Sequence, residues 1–306
     1  MKKVLVKNLC GVKVLPKAVS AEPSDNYILS PEQLKFLDDN GYLVIKELID
    51  FTSLYNLKQR FLQICKGIAP AGNINIVKEP KLAKQKLNPE EYINKFSEIV
   101  YDDVFFTYAE HPRMLSVLSQ LIGDDITAVH SMFINKPPGA SRHPAHQDLF
   151  YFPFRPAEKI IGAWTAVDHV NYENGCLYVV PGSHKQKELY AHGDREGTLK
   201  LYHGLDEDLL APPEKQVHLD MSPGDTVFFS PYLVHGSGPN RAKTYRKAIT
   251  FHFANSSCHY IDVTNTLQEE LARTIEAQSA KKGFELKFAD LWRMKSRQVK
   301  GIQSNL

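Results

Sequence analysis

Cysteine is scarce in this chain. Cys10, Cys65, Cys176 and Cys258 are the four in 306 residues, and none forms a Cys-x-x-Cys pair. Such spacing excludes a disulfide framework and a zinc ribbon, and makes a reducing interior the expected compartment. Long apolar runs are also missing: charge or proline interrupts the most apolar stretches within about ten residues, half of what a membrane-crossing helix needs. Net charge is only +2, with 37 Lys and Arg against 35 Asp and Glu. Nothing global therefore recruits nucleic acid or an acidic membrane, and an anionic ligand must be met by local charge. Internal repeats and low-complexity segments are absent.

What is present suits a globular protein with a sizeable core, since 43% of residues are hydrophobic. The expected organisation is a tail over 1–28 and a single domain over 29–306. Met1 to Ser20 carries five lysines and no acid; it has neither the apolar centre of a secretory signal nor the arginine and serine of a mitochondrial presequence. The chain ends Ser304-Asn305-Leu306, one substitution from the Ser-Lys-Leu tripeptide that addresses proteins to peroxisomes, although a frayed terminus reads the same way.

The first third reads as mainly helical. Ser30-Pro31-Glu32-Gln33 starts a helix that Gly41 ends, and Tyr42 to Ile45 follows as a strand. Leu54, Leu57, Phe61 and Ile64 make one apolar stripe over Phe51 to Lys66. Ala69 to Pro89 has no sustained period and reads as a surface loop. Helical spacing returns over Glu90 to Phe106, and again from His111-Pro112-Arg113 to Gly123. Beyond Asp125 the texture changes to short β-rich runs: Ala128 to Asn135, Ile160 to Asp168, Leu177 to Val180, Thr226 to Phe229 and Ala248 to Phe253. Many short strands with turn signals predict a jelly roll of two facing antiparallel sheets. The interval Ser183 to Val217 is long for a compact fold and reads as a lid. Two helices close the chain, over Asn265 to Gly283 and Phe288 to about Val299.

Within the β-rich part lies His143-Pro144-Ala145-His146-Gln147-Asp148. Residues two apart on an extended strand share a face, so His146 and Asp148 can offer an imidazole and a carboxylate to one ion. A bare His-x-Asp also arises in capped turns, and a third ligand is needed. His235, after the apolar run to Phe229 and before Gly236 and Gly238, is placed to enter the same pocket. Two His and one carboxylate form the open face of non-haem iron(II) oxygenases, and also an open zinc site of hydrolases. Arg246, on the next strand, offers a planar fork suited to a carboxylate, or else is a strand-end charge. Phe150, Tyr151, Phe152 and Phe154 either line an apolar channel or pack the core.

Those residues in that order, together with Asn40 to Lys46, Ile134 to Pro138, Arg142 to Pro156, Gly224 to Phe229, His235 to Gly238, Arg246 to Ile249 and Cys258 to Val263, resemble the phytanoyl-CoA dioxygenase family. The resemblance runs from about Leu29 to the end. It implies an α+β fold, a double-stranded β-helix (jelly roll, cupin-like) core with flanking helices, mainly N-terminal. It also implies an Fe(II)- and 2-oxoglutarate-dependent dioxygenase that uses O2 to hydroxylate C2 of a methyl-branched acyl-CoA, phytanoyl-CoA, in fatty-acid α-oxidation, with ascorbate as reductant. By that resemblance His146, Asp148 and His235 hold the iron, Arg246 and Ser237 bind the distal carboxylate of 2-oxoglutarate, and Lys95, Met132, Gln147 and Trp164 also contact it. Lysines in Lys78 to Lys86 and Lys185 to Lys187 are candidates for the CoA phosphates. Other outcomes are a family member acting on another acyl-CoA or small molecule, or a non-catalytic acyl-CoA-binding member. The family's vertebrate members carry a cleaved amino-terminal peroxisomal signal, which Met1 to Ser20 does not display. Import then rests on the C-terminal tripeptide; otherwise a cytosolic or mitochondrial location is expected.

Overall fold

Ser30 starts the first helix, α1 (Pro31–Asn40), through a reciprocal cap: its hydroxyl accepts from the Gln33 amide at 3.2 Å, and its own amide donates to the Gln33 side chain at 2.9 Å. Gly41 ends it at a φ of 80°, a left-handed turn that feeds directly into β1 (Tyr42–Ile45). These features belong to a computed structural model, which describes residues 25–85, 87–194, 203–281, 283–302 and 306. Most of the expected tail lies outside the described residues. The part that is described is docked, because the Tyr27 amide donates to Ser116 Oγ at 3.1 Å and the Leu29 amide to the Gln120 side chain at 2.9 Å.

Asp50 caps α2 (Phe51–Cys65), which buries the expected stripe of Leu54, Leu57, Phe61 and Ile64. Two expectations then fail. The loop over Ala69 to Pro89 contains a strand, β2 (Asn75–Lys78), and the helix over Glu90 to Phe106 is instead α3 (Pro89–Tyr92), β3 (Ile93–Ser97) and α4 (Asp103–Phe106). Ile93 and Phe96 satisfy helical spacing, but β3 gains two strand neighbours, and Glu98, at a φ of 58°, stops any helix there. The chain continues through α5 (Pro112–Ile122), β4 (Ile126–Lys136), β5 (His143–His146), β6 (Phe154–Arg155), β7 (Ile160–Ala166) and β8 (Leu177–Val179). The interval Ser183 to Val217 holds a short antiparallel pair, β9 (Gly193–Asp194) with β10 (His203–Gly204), then α6 (Glu207–Leu210), and ends at β11 (Val217–His218). After it come β12 (Thr226–Phe229), β13 (His235–Ser237), β14 (Arg246–Asn255), β15 (His259–Tyr260), α7 (Glu269–Lys281), α8 (Phe288–Arg293) and β16 (Arg297–Lys300).

The strands build two facing antiparallel sheets, the expected jelly roll. One has the order β1-β12-β7-β14-β4-β3-β2 with β16 also on β4, and the other has the order β11-β8-β13-β5. Period-two alternation sorts the long pair β4 and β14. Phe133, Phe251 and Phe253 point outward into a core shared with Leu57 and Phe61 of α2 and Val117 of α5, while Met132, Thr250 and His252 point between the sheets. The last expected helix is shorter than its spacing suggests. It ends at Arg293, and Arg297 to Lys300 pairs with Ile126 to Ala128, a stretch of β4 that β3 leaves open because it reaches only Met132 to Ile134. Filling that exposed edge outweighs continued helix.

Candidate metal centre and its two pockets

Neighbouring strands bring the two histidines together. β5 and β13 pair antiparallel with His146 opposite His235, and their ring centroids lie 4.3 Å apart. Asp148 follows His146 by two residues, at the start of a 3-10 turn, and its carboxylate returns to the same spot. One ligand atom from each of the three lies within 4.8 Å of the others. Both imidazoles are oriented from behind: His146 Nδ1 lies 2.9 Å from the Pro144 carbonyl and His235 Nδ1 lies 3.0 Å from that of Leu233. A carbonyl can only accept, so Nδ1 carries the proton and the Nε2 lone pair faces inward. Burial, then the neighbouring His146, pushes His235 down to about 4, which keeps it neutral. Burial alone would raise Asp148, but the adjoining His252, whose Nε2 hydrogen-bonds to it at 2.7 Å, outweighs that and holds the carboxyl well below its usual range. Two buried lone pairs and an anion converging on one point fit a divalent cation.

On one side of the triad lies a cavity of about 80 Å³. Lys95, Met132, Trp164, Ser237 and Arg246, all named from the sequence, line it. Among the described residues there, Asp148 is the sole carboxylate, against Lys95, Lys136, Arg142 and Arg246. The Arg246 fork donates to the Gly175 carbonyl at 2.6 and 3.1 Å and lies over the Trp164 ring at 5.4 Å. Gly175 sits at a φ of +84°, and a Cβ there would meet the Gly238 carbonyl at 2.6 Å, so only glycine lets this carbonyl brace Arg246. The indole Nε1 of Trp164 is buried without an acceptor, a donor that an anionic ligand can satisfy. Burial brings Lys95 down to about 8.

Gln147 is the exception. Its side chain donates to the Glu188 and Tyr232 carbonyls at 2.9 and 2.8 Å and accepts from the Tyr190 amide at 2.9 Å. Strand alternation turns it away from its two neighbours, and it fastens the Ser183 to Val217 segment rather than lining the pocket. The Phe150 ring stacks on His192 of the same segment at 4.1 Å, which secures that contact.

The sequence reading missed two residues. Lys136 is buried beneath Arg246 with its Nζ 2.9 Å from Ser237 Oγ, and burial, then the Arg246 charge, holds it well below the usual lysine range. His252 Nε2 lies 2.7 Å from Asp148 Oδ2 and fixes the carboxylate from the opposite sheet. Lys136 lies in a stretch quoted for the resemblance, and His252 faces the pocket by alternation with Thr250 and Arg246; neither is singled out by the sequence alone.

A larger cavity, about 690 Å³, opens on the other side of the triad and shares Lys95, Met132, His143, His146 and Asp148 with the first. Tyr151 and Phe152 line it, whereas Phe150 and Phe154 are packed into the core. Of the candidate phosphate ligands, Lys78 is at this cavity, Lys86 lies outside the described residues, and Lys185 and Lys187 are engaged elsewhere with Asp39 and Glu158.

The fold and site together define a jelly roll with two histidines and one carboxylate at the mouth between its sheets. Residues 37–248 match the family model described as phytanoyl-CoA dioxygenase (PhyH). The chain is 42% identical to the mouse protein named phytanoyl-CoA dioxygenase, peroxisomal, over 92% of this chain and 86% of that one. It is 41% identical to the probable phytanoyl-CoA dioxygenase of Caenorhabditis elegans, over 96% of this chain and all of that one. The chain belongs to the phytanoyl-CoA dioxygenase family and is an enzyme of that type. Among solved structures, EctD from S. alaskensis with 2-oxoglutarate and 5-hydroxyectoine superposes with a TM-score of 0.60 at 22% identity, covering 80% of this chain and 82% of that one, a likeness of fold.

Proposed function

We propose that this enzyme hydroxylates C2 of a branched-chain fatty acyl-CoA, phytanoyl-CoA, using Fe(II), 2-oxoglutarate and dioxygen, as a step of fatty-acid α-oxidation in the peroxisome. The carrying observation is a metal triad flanked by two unlike pockets, one small and cationic, one large and partly apolar, that meet at His146 and Asp148. His146, Asp148 and His235 hold the ion. Ferrous iron held there would activate dioxygen, the four-electron oxidant: two electrons come from 2-oxoglutarate, released as carbon dioxide and a succinate that keeps one oxygen atom, and two from the C–H bond that becomes C–OH with the other. Arg246 and Ser237 receive the distal carboxylate, Lys136 braces Ser237 from beneath, Trp164 donates its N–H, and Lys95 and Met132 close the remaining side. His252 keeps one Asp148 oxygen occupied so that the other faces the ion. The peroxisomal names of the mammalian relatives support the location, and ascorbate serves to keep the metal ferrous.

The test is mass spectrometry of a panel of acyl-CoAs incubated with enzyme, Fe(II), ascorbate and 2-oxoglutarate. One oxygen added at C2, with succinate formed in equal amount, is the expected result. Hydrolysis with zinc and no oxygen uptake would identify the triad as a hydrolase site. Binding without turnover would identify an acyl-CoA-binding member.

A further inference from the structure

The larger cavity has a wall that the two facing sheets do not supply. Ile275 and Gln278 of α7, Leu291 and Trp292 of α8, and Lys295 just beyond it line the cavity there. Ile275 and Leu291 are half-buried, as apolar side chains facing an unfilled space are. Trp292 is buried, its ring edge-on to Phe152 at 5.0 Å and to His130 at 5.6 Å.

This wall is tied to the metal loop. Gln268, just before α7, is buried and its amide nitrogen donates to the carbonyls of Leu149, Phe150 and Phe152 at 3.3, 3.1 and 3.0 Å. Those carbonyls belong to the turn that presents Asp148. At the other end, Lys295 pairs with Glu98 at 2.9 Å, and Tyr101 donates to the Ser296 carbonyl at 2.8 Å. The Phe288 amide closes α8 onto α7 through Glu276 at 3.0 Å. The distance from the metal to this wall is therefore fixed at both ends.

We propose that the α7 and α8 pair is the chain-length gauge of the enzyme: the acyl tail leaves the metal along the larger cavity and stops against Ile275, Leu291 and Trp292. The proposal rests on the acyl-CoA reading above. Oxidation at C2 puts the thioester within one carbon of the metal, so tail and CoA arm must diverge. The apolar wall takes the tail, and the CoA arm leaves toward the exposed Lys78.

The experiment compares kcat/KM for a long and a short branched acyl-CoA in wild type, Leu291→Trp and Ile275→Trp, with product counted per succinate and thermal melting as the fold control. Filling the cavity should cut kcat/KM for the long chain roughly tenfold or more while sparing the short chain and the KM for 2-oxoglutarate. Anaerobic equilibrium binding of the two acyl-CoAs to the wild type and each variant should show the same split without turnover. Leu291→Ala, which enlarges the space, should move the optimum to longer chains. An unchanged profile in folded variants overturns the proposal, and so does an equal loss for long and short chains, because the wall would then meet the CoA arm common to both. A wild type that hydroxylates no acyl-CoA sinks the underlying reading instead, whatever the variants do.

Discussion

The two cavities that meet at His146 and Asp148 are built on opposite principles. The small one is closed by buried polar groups, each fixed by another: Arg246 by the Gly175 carbonyl, Ser237 by Lys136, Asp148 by His252. Its ligand must be small and anionic, and its geometry is set before anything binds. The large one is closed on one side by α7 and α8, where Ile275, Leu291 and Trp292 present apolar surface beside Gln278 and Lys295. The difference shows how one reaction centre can be kept while the substrate changes. Polar groups with exclusive partners tolerate little alteration, whereas an apolar wall can be recut residue by residue.

Breaking the shared edge should have the largest effect. Asp148→Ala or His146→Ala is expected to abolish turnover while the far-ultraviolet circular dichroism and melting curve stay near wild type; retained activity would remove the triad from the chemistry. Next, Arg246→Ala should raise the KM for 2-oxoglutarate by about two orders of magnitude, as truncating one side of a buried charge pair does, and leave acyl-CoA binding nearly intact. Anaerobic titration followed by calorimetry separates the two. His252→Leu should weaken metal binding about 10- to 100-fold, with His252→Gln recovering part of it because the amide can still donate. Competition against a chelator measures this directly, and equal affinities for Leu and Gln would mean that the hydrogen bond to Asp148 is immaterial.

A subtler difference is expected in pH. Lys95 is brought down to about 8 by burial, and in the role proposed for it its charged form would attract the cosubstrate dianion. kcat/KM for 2-oxoglutarate should accordingly fall as pH rises through about 8, a limb that Lys95→Met removes. The smallest effect on the cosubstrate is expected at Gln147. Gln147→Ala should cost about 1–3 kcal/mol of stability by orphaning buried backbone groups while leaving the KM for 2-oxoglutarate unchanged. A rise in that KM without loss of stability would put Gln147 back in the pocket.

Much of this arrangement was legible in the chain itself. Alternation fixed the common face of His146 and Asp148, and the short β-rich runs predicted the two sheets. The failures have physical reasons. Gln147 was placed at the cosubstrate by the family resemblance, against the alternation that turns it away from His146 and Asp148. Ile93 and Phe96, three apart, share a face only in a helix; β3 is buried on both faces, so alternation gave no strand signal and the sheet edge decided. β16 could not be read from its own residues, since what recruits it is an open stretch of β4 more than 160 residues earlier. Lys136 and His252 are ordinary strand residues until their partners are known.

The chain contains two tryptophans, and they are divided between the two cavities: Trp164 beside Arg246, and Trp292 under Lys295 in the opposite wall. Each half of the site thus has its own built-in fluorophore. With Trp164 replaced by Phe, the remaining emission reports arrival of the acyl tail, and with Trp292 replaced it reports the cosubstrate. The order in which the two ligands enter can then be read by stopped-flow fluorescence, with no label added and no turnover required.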